Sequence, residues 1–225
     1  MNNLLFLVTI ILNFCGIILA YRFLGKIGIF AWAVMATIVA NIEVAKCVDM
    51  VGLSVTLGNV IYSSVFLCTD ILSEMYGEKE AKKCVNLTVF FAIVSTILFQ
   101  CSLLFIPNAN DLISPAFKEV FSFVPRVVAA SMVSLYISNR LDVFLYQWIK
   151  KRSKYMWMRN NGATMIAQLF DSIFVIFAAF AGIFDFMTLL ELSFTTYAIK
   201  LIVAVCDTPF LYWAKKLHQK GKIPA

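Results

Sequence analysis

The feature that most limits what this chain can fold into is a succession of long apolar runs, at about 4–22, 28–46, 55–76, 84–106, 119–149, 163–184 and 189–213. An α-helix needs roughly 20 mostly apolar residues to cross the hydrocarbon of a bilayer, and these seven runs take up most of the 225 residues. The runs are continuous rather than alternating with period two, which favours helices over a transmembrane barrel. The expected fold is therefore all-α: a polytopic membrane helix bundle forming one integral membrane domain over residues 1–225. The fifth run is long and interrupted by Arg126, Arg140 and Asp142, so a tilt, or a bend near Pro125, is expected there.

Composition excludes the alternatives. With 61% hydrophobic and only 14% charged residues, a soluble domain of this size would have too little interior to hide its apolar side chains. Collagen-like and disordered chains are excluded by the same apolar content together with only nine glycines and five prolines. The connections leave no room for a separate soluble domain.

The formal charge of +6 would, in a soluble protein, raise the question of a nucleic-acid partner. Placement answers it. Fourteen of the 19 basic residues fall in four groups: Arg22 and Lys26; Lys79, Lys82 and Lys83; Lys150 to Arg159; and Lys215 to Lys222. These groups occupy every second connection, the pattern of cytoplasmic loops facing anionic lipid. No nucleic-acid partner is implied, and the alternation predicts an outside N-terminus and an inside C-terminus. No positive charge precedes the first run and two follow it, the reverse of a secretory leader, so that run is expected to remain in the mature protein.

The six cysteines are scattered without CxxC spacing, and the one histidine, His218, lies in the tail. Neither a metal site nor a cofactor is expected, and the thiols read as small apolar packing groups.

A charge at the centre of a span costs about 2.5–3.5 kcal/mol on insertion scales, so each one needs a partner or a function. Helical spacing shows that those present are organised. Asn59, Ser63, Asp70, Glu74 and Gly77 lie along one stripe of the third run, and Asn161, Thr164, Gln168, Asp171 and Ser172 along one stripe of the sixth. Lys200 and Asp207 are two turns apart on the seventh, and Arg126, Ala130, Ser134 and Arg140 trace a line on the fifth. Polar faces on four helices describe a cavity or pathway for a solute.

A plainer reading stands beside each. Lys200 and Asp207, about 10.5 Å apart along the axis, can be structural only, each pairing with a neighbouring helix, and Glu43 with Lys46 can be an intrahelical pair. Glu74 can be solvated at the inner end, and Arg140 and Asp142 can pair or snorkel there. Tyr146, Trp148, Tyr155 and Trp157 read as an interfacial aromatic belt.

Three stretches together carry a resemblance. They are Ala40 to Lys46 followed by Asp70-Ile71-Leu72-Ser73-Glu74-Met75-Tyr76-Gly77; Trp157 to Phe174, containing Arg159-Asn160-Asn161 and Gln168 to Ser172; and Tyr197 with Lys200 and Thr208-Pro209. Arg126, opening a span with small residues, is a weaker fourth match. From about residue 30 to about residue 213 the chain resembles the queuosine precursor transporter family, bacterial membrane proteins that import 7-deazapurines and are similar to the substrate-binding subunits of energy-coupling-factor vitamin transporters. The resemblance implies a core of six helices, to which residues 4–22 add an N-terminal span, and a place in the bacterial cytoplasmic membrane.

It also implies a substrate that suits the residues. A guanine-like base presents adjacent N–H donors that a carboxylate accepts as a two-point pair, and a carbonyl that needs a donor. Asp70, Glu74 and Asp171 are candidate acceptors. Asn41, Lys46, Arg126, Asn161, Gln168 and Lys200 are candidate donors or cationic partners, and Tyr62, Phe66 or Tyr197 could stack on the ring. Glu43, Lys46 and Arg126 sit in the outer part of the membrane and the acidic groups deeper, so they cannot all surround one small base. The sequence has no G-x-x-x-x-G-K-[ST] loop, so the chain does not itself hydrolyse ATP, and energy comes from a gradient, from intracellular trapping or from a separate energising complex. The expected partners are the small deazapurine and membrane lipid, with an energising complex or a second copy of the chain left open. Two alternatives remain. One is a subunit or transporter for another nucleobase or vitamin. The other is an intramembrane enzyme using paired carboxylates, which would need a nucleophile or metal that the cysteines and lone histidine do not supply.

Overall fold

The computed structural model describes residues 2–43, 46–50, 53–108, 110–121, 125–182 and 184–224. Helix α1 (Asn2–Glu43) has 42 residues, about 63 Å if straight and twice what a bilayer core needs. It does not run straight. Gly25 adopts φ 59° and ψ −142°, a conformation essentially restricted to glycine, and the chain folds back there. The two arms then touch: a β-carbon placed on Gly16 would lie 2.1 Å from the Trp32 ring. The runs at 4–22 and 28–46 are thus the arms of one helical hairpin.

That hairpin packs on α2 (Gly58–Met75), which also contacts α3, α5 and α7. Every residue of α2 from Ser63 to Ser73 is buried, so a short helix with a polar stripe is the bundle's central post. By contrast, α3 (Glu78–Ser102) buries only Ala81, Cys84, Val85, Thr88 and Ala92, a single stripe at helical spacing, and exposes Phe90, Ile97 and Leu98. Such an apolar outer face suits contact with lipid.

The expected fifth run is two helices, α4 (Ser114–Phe121) and α5 (Pro125–Lys150). Pro125 does not bend one helix but starts another, at the position where its missing N–H would have no partner anyway. Asp111 accepts from the Ile113 and Ser114 N–H groups at 2.9 Å just ahead of α4, and with the Ser114 hydroxyl these bonds hold its carboxyl below the usual range. Helix α6 (Met156–Phe180) begins earlier than its apolar run. Helix α7 (Phe186–Gln219) starts at Asp185, whose side chain accepts from the Met187 and Thr188 N–H groups and is likewise held low, and it continues through Pro209.

One connection is not as expected. Between α1 and α2 lies an antiparallel hairpin, β1 (Cys47–Met50) and β2 (Leu53–Thr56), with Cys47 opposite Thr56 and Met50 opposite Leu53. The helix that was expected to reach Lys46 stops at Glu43, so the two residues share no helical face, and Lys46 is exposed at the start of the hairpin.

The four basic connections gather at the opposite end of the bundle. There Lys26 pairs with Glu80 at 3.0 Å, the Tyr21 hydroxyl lies 2.8 Å from His218 Nδ1, and the Pro224 carbonyl rests on Gly25. Among the described residues, α1, α3, α6 and α7 are long and apolar enough to cross a membrane by length and composition. The more polar α2 and α5 pack among them.

Candidate functional site

The inward stripes of α2, α5, α6 and α7 form three polar layers along the bundle axis. The layer nearest the β1–β2 hairpin is a cleft lined by Asn41, Asn59, Tyr62, Ser131, Asp171 and Lys200, with Gly58, Leu135 and Val175 among its apolar walls. Its floor is an ion pair: Lys200 Nζ donates to Asp171 Oδ2, and both side chains are almost wholly buried. The other carboxylate oxygen accepts from Ser134 at 2.7 Å and Ser138 at 3.2 Å, and Tyr62 reaches it at 3.4 Å. Lys200 also stands 5.4 Å above the Tyr62 ring, a cation–π distance, and Phe66 packs edge-on behind that ring. Asp171 is thus a fully engaged carboxylate, held by donors from three helices.

Gln168 lies about one turn from Asp171 along α6. It is completely buried, yet among the described residues neither its amide nitrogen nor its oxygen has a hydrogen-bond partner. The Asn41 amide nitrogen, at the cleft, is buried without a partner as well. Unpartnered buried amides are uncommon and costly, about 1–3 kcal/mol each.

The middle layer holds three carboxylates. Thr164 Oγ1 lies 3.3 Å from Asp70 and 3.0 Å from Asp142, and Asn160 Nδ2 donates to Asp207 at 2.6 Å. All three aspartates are buried, and none takes part in an ion pair among the described residues.

The layer at the basic end of the bundle is a clamp. Glu74, at the end of α2, receives Lys150 of α5 at 3.1 Å, Arg159 of α6 at 2.8 Å and Lys215 of α7 at 2.9 Å, and the Tyr146 hydroxyl at 3.2 Å. Arg159 also donates to the Ser153 and Lys154 carbonyls at 3.0 Å, tying the α5–α6 connection to the same point.

The structure brings some expected residues together and separates others. Asn41, Asp171 and Lys200 share the cleft, and Gln168 lies just beyond it. Asp70 belongs to the middle layer and Glu74 to the one at the basic end, where it is enclosed by cations rather than solvated. Asn161 donates to Thr208 at 2.8 Å and faces α7. Lys46 lines a different pocket with Asn2, Phe6 and Leu57. Arg126 stands in the first turn of α5, and its side chain lies outside the described residues. Of the stacking candidates, Tyr62 lines the cleft, Phe66 supports it from behind, and Tyr197 is not part of the lining.

Lys200 meets Asp171 and Asp207 meets Asn160, each on the neighbouring α6 and not each other. Arg140 turns to Asn86 of α3 at 2.6 Å and Asp142 turns inward, because residues two apart on a helix project in different directions. Ser138 and Asn139, which complete the shell of Asp171 and Tyr62, were not expected. Their signal was the continuation of the Ala130–Ser134 line by a further four residues.

Comparisons with known proteins agree with one another. The family model described as "Putative vitamin uptake transporter" matches residues 56–214, which takes in α2 through most of α7. A "Probable queuosine precursor transporter" of Bacillus subtilis (strain 168) is 37% identical over 219 residues, covering 96% of each chain. The "Queuosine precursor transporter" of Escherichia coli (strain K12) is 22% identical over 214 residues, 91% of this chain and 94% of that one. No solved structure matches. An inward-facing polar pathway in an apolar helix bundle, and a full-length relative at this identity, lead to one conclusion: the chain belongs to the queuosine precursor transporter family of multi-pass membrane proteins.

Proposed function

We propose that this chain imports queuosine precursors, the 7-deazaguanine bases, across the bacterial cytoplasmic membrane. The observation that carries the reading is the Asp171–Lys200 pair on the floor of a cleft beside the Tyr62 ring and unpartnered amides. A 7-deazaguanine offers a carboxylate its ring N–H and exocyclic amine, and offers a cation its carbonyl. If Lys200 shifts from Asp171 to that carbonyl, both charges find a polar partner on the same base. Tyr62 supplies a face for the ring, and Gln168 and Asn41 supply the remaining hydrogen bonds.

Seven crossings fit the bundle, with both arms of α1 spanning. The end that gathers the basic connections is taken as cytoplasmic. The cleft then opens outward and the Glu74 clamp closes the inner end, so release into the cell requires α5, α6 and α7 to part from Glu74. The function assigned is transport and not catalysis.

Cells unable to synthesise the precursor, supplied with labelled queuine with and without this chain, test the reading through tRNA queuosine. Equal levels in both would reject it. A binding panel of deazaguanines, guanine and vitamins distinguishes a carrier of another nucleobase or vitamin, which would bind its own ligand and not queuine.

A further inference from the structure

The middle layer is more than a wall beneath the cleft. Thr164 Oγ1 touches both Asp70 and Asp142, at 3.3 and 3.0 Å, but a hydroxyl carries one hydrogen. It donates to one carboxylate, and the second contact becomes a hydrogen bond only if the other carboxyl carries a proton to give. Thr69, the further donor near Asp142 at 3.4 Å, already has a closer acceptor in the Phe66 carbonyl at 2.8 Å.

Among the described residues no cation is free to neutralise the pair. On α2, Glu74 lies below and Cys68 beside it; on α3 the nearest titratable group is Cys84. From α5 come Tyr146 and Lys150, from α6 Arg159, and from α7 Lys215, all four of them turned to Glu74. Further along α7, Lys200 is taken by Asp171, while Cys206 and Asp207 add only acidic groups; α1 contributes Tyr21, hydrogen-bonded to Tyr76 and His218. Two ionised carboxylates in such surroundings would repel each other without compensation. A metal ion is not the answer either: among the described residues no three acidic, histidine or cysteine groups converge closely enough to hold one.

A second observation points to traffic through the layer. Gln168, wholly buried and unpartnered at both amide atoms, follows Thr164 by four residues on the same stripe. On that stripe it lies about one turn from Thr164 and the carboxyl pair on one side and about one turn from Asp171 and the cleft on the other. It stands between that pair and Asp171, which is about 10 Å away along α6. Asp70 Oδ1 is unpartnered as well.

We propose that Asp70 and Asp142 together hold one exchangeable proton, and that uptake by this chain is proton symport. A proton enters from the cleft and binds one carboxylate of the pair. With the base bound above, the inner clamp opens, and the proton and base leave to the inner side. The empty pair is then one unit more negative and takes its next proton from the cleft. The proposal rests on the transport reading above.

The test uses the purified full chain in lipid vesicles with tritiated queuine. Exchange of queuine at equal pH inside and out reads carriage alone. Accumulation under an inside-alkaline gradient, with a trapped pH dye, reads coupling. Wild type is expected to exchange, to accumulate queuine by about tenfold per pH unit if one proton accompanies each base, and to acidify the lumen. Asp142→Asn, which mimics the protonated carboxyl, is expected to keep exchange and lose accumulation, and Asp70→Asn serves if that variant does not fold. Wild-type exchange without accumulation or acidification overturns the proton proposal and leaves the transport reading standing. Absence of wild-type exchange overturns the transport reading. The proton site is then decided by infrared spectroscopy, where a protonated-carboxyl band that titrates in wild type and is lost in either variant supports it, and no such band rejects it.

Discussion

Arg159 Nη1 donates to Glu74 Oε2 at 2.8 Å, joining the last turn of α2 to the first turn of α6 across the basic end of the bundle. Because Lys150 and Lys215 meet the same carboxylate, one acid holds three helices. Removing one partner of a buried charge cluster strands the rest.

Glu74→Gln is therefore expected to leave three cations crowded around a neutral amide. It should lower stability by about 3 kcal/mol and expose cysteines introduced at the inner end of α6 to a membrane-impermeant thiol reagent. Thermal unfolding in detergent and labelling rates on inside-out vesicles measure the two effects. An unchanged labelling rate would remove the clamp from any gating role.

The outer pair separates folding from recognition. Asp171→Asn leaves the Lys200 ammonium buried without its counter-charge and should cost about 3–5 kcal/mol. Adding Lys200→Met should restore most of that stability but no queuine binding. Recovery of binding in the double variant would show that the pair is structural only.

Gln168→Leu should affect the two properties in opposite directions. Both amide atoms are buried and unpartnered, so an apolar side chain of similar size is expected to leave the thermal midpoint unchanged or raised. Queuine affinity should fall at least tenfold, the loss of about one good hydrogen bond. A clear fall in the midpoint would mean that the amide has a structural partner.

Gly25→Ala places a β-carbon at a φ of 59° and 2.6 Å from the Pro224 carbonyl oxygen. Backbone strain of this kind costs about 1–3 kcal/mol, so a lower thermal midpoint is expected. A version of Gly25→Ala ending at Ile223 relieves the clash and should recover part of the loss, which thermal scans of both proteins would show.

The sequence was informative wherever one helix alone determines the outcome. Thr164, Gln168 and Asp171 share a stripe because of the helical period, and the structure turns that stripe inward. The grouping of the basic residues likewise marks connections that the fold gathers at one end. Partners were less legible. Spacing along a helix says which side chains share a face but not which neighbouring helix they meet, so nothing in it names Asp171 of α6 as the partner of Lys200. The clamp on Glu74 is hidden for the same reason, because its cations arrive from residues 76 to 141 positions away. The Cys47–Thr56 hairpin carries no alternating pattern strong enough to stand out between two apolar runs.

The contact between Gly25 and the Pro224 carbonyl also orders events during biosynthesis. Gly25 leaves the ribosome early and Ile223 and Pro224 late, so the bend in α1 has to stand without the tail that later covers it. The Lys26–Glu80 pair forms between earlier parts of the chain and can hold the hairpin in register meanwhile. Assembly in the membrane thus closes with the tail docking against the first turn made.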